Sequence, residues 1–200
     1  MNEDCLLVEA IKAGDVNRFE ELVDKYKDNV YNMAFHMTGS SQEEQDLAQE
    51  IFLLIYKNIS NFNGESALST WIYRISLNRC LDWQRKQQRR SKFILPILYK
   101  NNEELNDPME NLSTQQPGPE EQLLRNEQYQ ELHNGIKELP EKYQKVILLY
   151  HFQQMPYQRI AEILDILART VETQLYRGKQ RLKEILTKRI GKGVKAYEYV

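Results

Sequence analysis

Tyr157-Gln158-Arg159-Ile160-Ala161-Glu162-Ile163-Leu164-Asp165-Ile166-Leu167-Ala168-Arg169-Thr170-Val171-Glu172-Thr173-Gln174-Leu175-Tyr176-Arg177 is the stretch on which the fold turns. Ile160, Ala161, Leu164, Ile166, Val171 and Leu175 have the spacing of a helix-turn-helix, where a small Ala lets two helices approach and apolar residues lock them at an angle. The second helix of such a pair can lie in the DNA major groove with its early residues at base edges. Here those residues are Arg169, Thr170, Glu172, Thr173, Gln174, Tyr176 and Arg177. Lys179, Arg181 and Lys183 follow as phosphate contacts. An ordinary helical hairpin shares the apolar spacing, and the basic second helix is what tips the reading towards DNA.

Working outward, Pro156 opens the first helix of the pair, and Pro140 marks the first turn of another that runs to about Phe152. Helical periodicity before it includes Leu123, Leu124, Leu132, Ile136 and Leu139. Upstream of that, residues 94–122 hold Pro96, Pro108, Pro117, Gly118 and Pro119 among Asn, Gln, Ser and acids, the composition of a linker. The N-terminal part reads as four helices. The first lies near 4–13 and stops at Gly14; the second runs from about Asp15 to Gly39. A third is capped by Ser40 or Ser41 with an acidic first turn, and a fourth spans about 69–92 after a loop at 60–68. With only 8 glycines and no alternating Val/Ile/Thr runs, the core must come from helices. The expectation is an all-α protein: a domain over 1–93, a linker over 94–122, a second domain over 123–190 and a tail over 191–200.

The formal net charge of −2 looks wrong for a DNA-binding protein until it is divided along the chain. Arg74, Arg79, Arg85, Lys86, Arg89, Arg90 and Lys92 face only Asp82 in the fourth helix, and the last helix and its extension are equally basic. Between the two blocks, residues 101–131 are strongly acidic. Phosphate attraction follows local rather than total charge, so the pattern describes two nucleic-acid contacts joined by a segment that avoids DNA. The fourth helix also interleaves Trp71, Tyr73 and Trp83 with Asn78 and cations. Aromatic faces stack on unpaired bases and an Asn reads a base edge, which makes single-stranded DNA its natural target, with the neighbouring Asn61-Phe62-Asn63-Gly64-Glu65 loop supplying a pocket. Core packing is the competing explanation for Trp71.

Other classes are less well served. Cys5 and Cys80 match neither a disulfide framework nor a metal or redox spacing, and read as reduced thiols. His36, His133 and His151 are dispersed and no Gly-rich phosphate loop is present, so no catalytic residue, metal or cofactor is expected. No run approaches the roughly 18 apolar residues of a membrane span, and the N-terminus lacks a basic signal-like start. A cytoplasmic protein without direct membrane insertion is expected.

Two motif blocks resemble a known family. Asp46-Leu47-Ala48-Gln49-Glu50-Ile51-Phe52, with Ser69-Thr70-Trp71-Ile72-Tyr73-Arg74-Ile75 through Asn78 to Asp82, resembles region two of the sigma-70 family in its small extracytoplasmic-function (ECF) branch. Leu139-Pro140-Glu141-Lys142-Tyr143, with the helix-turn-helix and Leu175-Tyr176-Arg177-Gly178, resembles region four. The resemblance implies a sigma factor that brings core RNA polymerase to promoter DNA. Asp46, Gln49, Glu50 and Phe52 would dock on the clamp helices of the largest subunit, and region four would meet the flap of the second-largest. Asn61, Phe62, Asn63, Trp71, Arg74, Asn78, Arg79, Arg85 and Lys86 would open and read the minus-ten element. The last helix would read the minus-thirty-five element as duplex, and the acidic linker would thread the polymerase interior near the RNA exit path. Strand opening would draw on binding of single-stranded bases, so no hydrolysis site is needed. The resemblance also implies a stress-response regulator under an anti-sigma factor, often membrane-anchored, that can hold the protein at the membrane.

The chain departs from the family pattern at several positions. Leu68 stands where the family usually has Phe, Arg159 where it has an acid, and Asp165 where it has Gly. Leu167 and Ala168 replace a Pro-containing turn, and Glu172 and Gln174 occupy places that are often basic. Base preference upstream is therefore expected to differ. The competing function is a stand-alone helix-turn-helix regulator, which explains residues 140–188 but leaves the Asp46–Phe52 block and the fourth helix without a purpose.

Overall fold

The computed structural model describes residues 3–94 and 130–190. Every regular element among them is helical: α1 Glu3–Lys12, α2 Val16–Thr38, α3 Ser41–Asn58, α4 Leu68–Ile94, α5 at 130–138, α6 Glu141–Ile147, α7 Tyr157–Leu164 and α8 Ala168–Ile190. The expected linker at 94–122 and tail at 191–200 lie, but for Ile94, outside the described residues.

Local chemistry sets the helix ends. Asp15 caps α2 by accepting from the backbone N–H groups of Asn17 (3.0 Å) and Arg18 (3.3 Å), and Gly39 closes it in the left-handed conformation at φ 75°. Ser40 occupies the N-cap of α3 without a side-chain bond to the helix. Its own N–H instead donates to the Thr38 hydroxyl at 3.3 Å, which donates back to the Ser40 carbonyl at 3.1 Å. Pro140 is the N-cap of α6 rather than its first helical residue, and the expected single helix to Phe152 is α-helical only to Ile147. Leu148–Phe152 is a π-helical turn, which brings Phe152 against His36 of α2.

The α2, α3 and α4 stripes pack into one core, with Leu22, Met33, Met37, Leu47, Ile51, Ile55, Leu68, Ile72 and Leu81 almost completely buried. Leu68, the departure at the start of α4, is 1% exposed and fills the core where the family usually places a ring. The same buried cluster continues through α5 to α8 around Val146, Ile147, Leu149, Ile160, Val171, Leu175 and Leu182. Gly135 and Gly178 permit the closest approaches there: a Cβ on Gly178 would meet Tyr143 Cβ at 3.2 Å and Ile147 Cδ1 at 3.1 Å.

The two helical domains touch through side chains. Gln84 and Gln88 of α4 donate to the Lys137 carbonyl (3.1 and 3.3 Å), Lys137 Nζ donates to the Thr38 carbonyl (3.1 Å), and Gln153 donates to the Asn29 carbonyl (3.4 Å). At the same seam His36 stacks on Phe152 with centroids 3.8 Å apart and lies 5.8 Å from His133. Burial pushes His36 down to about 4, and burial together with His36 and Lys137 pushes His133 down to about 3.

Both rings are therefore held neutral against an ordinary value near 6.5. The neutral form favours packing, so this contribution is complete above about pH 6.5 and is lost as pH falls towards 4, by roughly 1 kcal/mol per ring for each pH unit. Acidification from pH 7 to 5 is expected to lower the melting temperature by several degrees, and His133→Asn should flatten the response. A melting temperature independent of pH in that range would show that these rings contribute nothing to the seam.

Candidate nucleic-acid interface

A solvent-open cleft of about 320 Å³ lies between α3, α4 and the 3₁₀ turn Ile59–Asn61. Leu54, Ile75 and Trp71 form its apolar part, and Asn58, Asn61, Asn78, Arg79 and Asp82 its polar rim. The four-residue steps Trp71, Ile75 and Arg79 and the neighbouring Asn78 and Asp82 lie on one face of α4, which is why a single helix supplies most of the cleft.

The amides are oriented in series. Asn58 Nδ2 donates to the Leu54 carbonyl at 2.8 Å, and Asn61 Nδ2 donates to Asn58 Oδ1 at 3.5 Å. Asn78 is exposed at the rim, its amide making no hydrogen bond among the described residues. Arg79 is paired with Glu50 of α3, and Asp82 with Arg85 at 3.1 Å. An apolar slot with an aromatic wall and a ring of directional donors and acceptors suits a flat heteroaromatic group with hydrogen-bonding edges.

Several expected contact residues sit elsewhere. Phe62 is buried: its ring meets Trp71 edge-on at 5.6 Å, and its carbonyl accepts from Lys12 Nζ at 3.0 Å, so it braces the wall instead of offering a surface. Trp71 is thus both partly packed and partly open, combining the two readings of it. Asn63 is exposed, with Oδ1 accepting from the Glu65 N–H at 3.2 Å to shape the loop. Lys86 is exposed one turn beyond Asp82 and extends the cleft face. Arg74 leaves that face, and Arg85, held by Asp82 of the rim, reaches on to the second domain. Arg74 donates to the carbonyls of Ile163 (2.9 Å) and Glu162 (2.6 Å), and Arg85 pairs with Glu141 at 2.8 Å.

On α3, Asp46, Gln49 and Glu50 are exposed. Phe52 is not: it is 8% exposed and belongs to the core, while Leu53 (57%) and Tyr56 (43%) stand out on the same stripe as Asp46 and Gln49. Sequence reasoning missed Leu53 and Tyr56. The signal was present in the three- and four-residue steps 46, 49, 53 and 56, which define the face turned from Leu47, Ile51 and Ile55.

The helix-turn-helix forms as expected. Asp165 takes the left-handed conformation at φ 54°, ψ 50°, and its N–H and that of Ile166 both cap the Ala161 carbonyl. Asp carries this backbone at less cost than most residues, which is how the turn survives without Gly. Arg169, Glu172, Thr173, Tyr176, Arg177 and Arg181 are exposed along α8, with Thr170 and Gln174 half-buried beside them. Lys179 lies 5.7 Å from the Tyr150 ring and Arg181 5.4 Å from that of Tyr143, so both stems lean back onto α6 and the π turn. Gln180, exposed one turn beyond Tyr176 and Arg177, is a further member of the stripe that the sequence reading passed over. Among the described residues, no group of His, Cys, Asp and Glu side chains could hold a metal ion, and no helix is long and apolar enough to cross a membrane.

Comparison with known proteins agrees with this division. The family described as Sigma-70 region 2 matches residues 22–90, and Sigma-70, region 4 matches residues 129–182. The ECF RNA polymerase sigma factor SigW of Bacillus subtilis is 32% identical over 183 residues, covering 90% of this chain and 94% of that protein. The RNA polymerase sigma-H factor of Pseudomonas aeruginosa is 29% identical, covering 92% and 94%. Among solved structures, CnrH in complex with the cytosolic domain of CnrY superposes with a TM-score of 0.61 at 17% identity, covering 92% of this chain and 97% of that one. The sigma factor RpoE of Bartonella quintana, in complex with the anti-sigma factor NepR, gives 0.54 at 16% identity, covering 84% and 96%. Similarity at this identity and over nearly the full length of both chains places the protein: it belongs to the ECF sigma factors of the sigma-70 family.

Proposed function

We propose that this sigma factor binds core RNA polymerase through the exposed stripe of α3, reads the minus-ten element as melted strand in the α3–α4 cleft, and reads the minus-thirty-five element as duplex along α8. The observation that carries the reading is the cleft itself: an exposed Asn78 amide beside the open part of Trp71, on a basic helix. A base flipped out of the stack gains aromatic contact and a hydrogen-bonded edge there, and that gain draws the strands apart without nucleotide hydrolysis. Asp46, Gln49, Glu50, Leu53 and Tyr56 form the polymerase surface, and Arg169, Glu172, Thr173, Tyr176, Arg177 and Gln180 the major-groove stripe. With two acidic or neutral side chains at Glu172 and Gln174, the upstream preference is this chain's own. The Bartonella quintana sigma factor is solved in complex with an anti-sigma factor, which supports such a partner for this chain.

Run-off transcription with purified core polymerase tests the reading. Promoter-dependent transcripts are expected with the protein and none without it, and Leu53→Asp should weaken polymerase binding at least tenfold. Tight, specific duplex binding by the protein alone, with no transcript, would assign it instead as a stand-alone helix-turn-helix regulator.

A further inference from the structure

Lys12, the last residue of α1, reaches across 50 positions of sequence to the back of the cleft wall. Its Nζ donates to the Phe62 carbonyl at 3.0 Å and to Glu9 Oε1, one turn back on α1, at 3.1 Å. A cation at a helix C-terminus is favoured by the helix dipole, and Glu9 aims it. At 27% exposure the Lys12 side chain is largely sheltered from competing water. α1 is itself fixed in place: Leu7, Val8 and Ile11 are buried, and Asp4 accepts from Lys25 of α2 at 2.9 Å. Phe62, on the other side, is held at three points. Its N–H donates to the Ile59 carbonyl at 3.1 Å and closes the 3₁₀ turn, its carbonyl accepts from Lys12, and its ring meets Trp71 edge-on at 5.6 Å. Among the described residues no other group donates to that carbonyl. Trp71 lines the cleft, whereas Lys12 and Phe62 stand behind it.

We infer that Lys12 is a positioning residue for melted-strand reading: it pins the Phe62 peptide from behind, and through the Phe62 ring it sets the Trp71 wall before any base arrives. This rests on the function proposed above. A carbonyl that accepts from a cation is fixed more firmly than one left to water, because a charge-assisted bond is roughly twice as strong as a neutral one. Without that donor the peptide joining Phe62 to Asn63 is free to turn, and the ring turns with it. Trp71 is only partly exposed, and the edge it rests against decides which part of it stays open to the cleft. A flipped base would then meet a wall that has to be ordered on binding, and that ordering lowers affinity in a way that a preset wall avoids. Lys12 itself touches no base, since its ammonium is occupied by Phe62 and Glu9. The first helix therefore belongs to the reading site although no residue of it lines the cleft.

The test uses the full chain, with core polymerase and the promoter that gives run-off transcripts. Lys12→Met keeps the apolar stem and removes the donor. Open-complex formation should fall about threefold to tenfold, with closed complexes within about twofold of native. Lys12→Arg restores an N–H donor at this reach and should recover most of the loss. Glu9→Gln leaves the bond to Phe62 in place and should stay within about twofold of native in both steps. In a Trp83→Phe chain Trp71 is the one remaining tryptophan, and there Lys12→Met should shift its emission to the red with unchanged helicity by circular dichroism. Combined with Trp71→Ala, Lys12→Met should add little further loss, because its effect passes through that ring. The salt dependence of open-complex formation should keep its native slope, whereas loss of a direct phosphate contact would reduce that slope by about one. A reduced slope, additive losses in the double variant, or unchanged Trp71 emission overturns the positioning role. Equal loss of closed and open complexes with lowered helicity also overturns it, showing that Lys12 serves the fold alone. Absence of any transcript from the native chain would defeat the sigma-factor reading, while the emission of Trp71 would still decide whether Lys12 holds the wall.

Discussion

Replacement of Asn78 by alanine is expected to reduce open-complex formation by about tenfold to a hundredfold, the consequence of losing one directional base-edge contact worth roughly 1–3 kcal/mol. Closed-complex formation should stay within about twofold of native, because in the proposed function that step relies on polymerase docking through α3 and duplex contacts along α8. Asn78 is the informative position since its exposed amide has no structural partner among the described residues, so its removal leaves the fold intact. Trp71→Ala would also lose base stacking of about 1–3 kcal/mol. It would in addition remove the edge-on packing with Phe62 and loosen the cleft wall, so its effect mixes binding with structure. Permanganate reactivity of unpaired thymines, measured beside filter retention of closed complexes, separates the two steps. Equal loss of both would show that Asn78 acts before strand opening and would sink the cleft as the site of melted-strand recognition.

Periodicity and punctuation made the helices of this chain legible. Asp15, Gly39 and Pro156 sit at helix ends because capping chemistry depends on neighbours a few residues away, and the left-handed Asp165 was readable for the same reason. What stayed hidden depends on contacts remote in sequence. Nothing local distinguishes Arg74 and Arg85, which turn towards the second domain, from Arg79 and Lys86, which remain at or beside the cleft. Arg74 meets its acceptors 88 and 89 residues away. The π turn at Leu148–Phe152 was likewise unreadable, because the gain from aiming Phe152 at His36 exists only once α2 is packed. The division between buried Phe52 and exposed Leu53 is of a different sort. A motif block named the segment, and the helical phase relative to Ile51 and Ile55 decides which of its apolar residues faces out.

Gly178→Val should unfold much of the second domain at physiological temperature, whereas Gly178→Ala should be close to neutral. A methyl group at 178 would stand 3.2 Å from Tyr143 Cβ and 3.1 Å from Ile147 Cδ1. The isoleucine tip can rotate and the tyrosine Cβ can yield by tenths of an ångström. Alanine also recovers about 1 kcal/mol of helix propensity relative to glycine, which offsets the crowding. Valine adds two further carbons directed into α6, where Tyr143 and Ile147 are 4% and 1% exposed and have no free space to move into. Overpacking of this kind costs roughly 1–3 kcal/mol or more, a large share of the few kcal/mol that stabilise a domain of this size. One and two turns further along the same face of α8, Leu182 and Leu186 stand 3.0 Å from where a Cβ on Gly135 would lie, so this face of the helix is closely packed beyond Gly178 as well. Binding of an isolated minus-thirty-five duplex should therefore fall more than tenfold, while the polymerase binding proposed for α3 should persist, because the α2, α3 and α4 stripes pack on one another. Thermal melting by circular dichroism, paired with a duplex-binding titration, checks both parts. A valine variant that melts and binds as native would mean that α6 and α8 can separate without loss, contrary to the close approach that the two glycines impose.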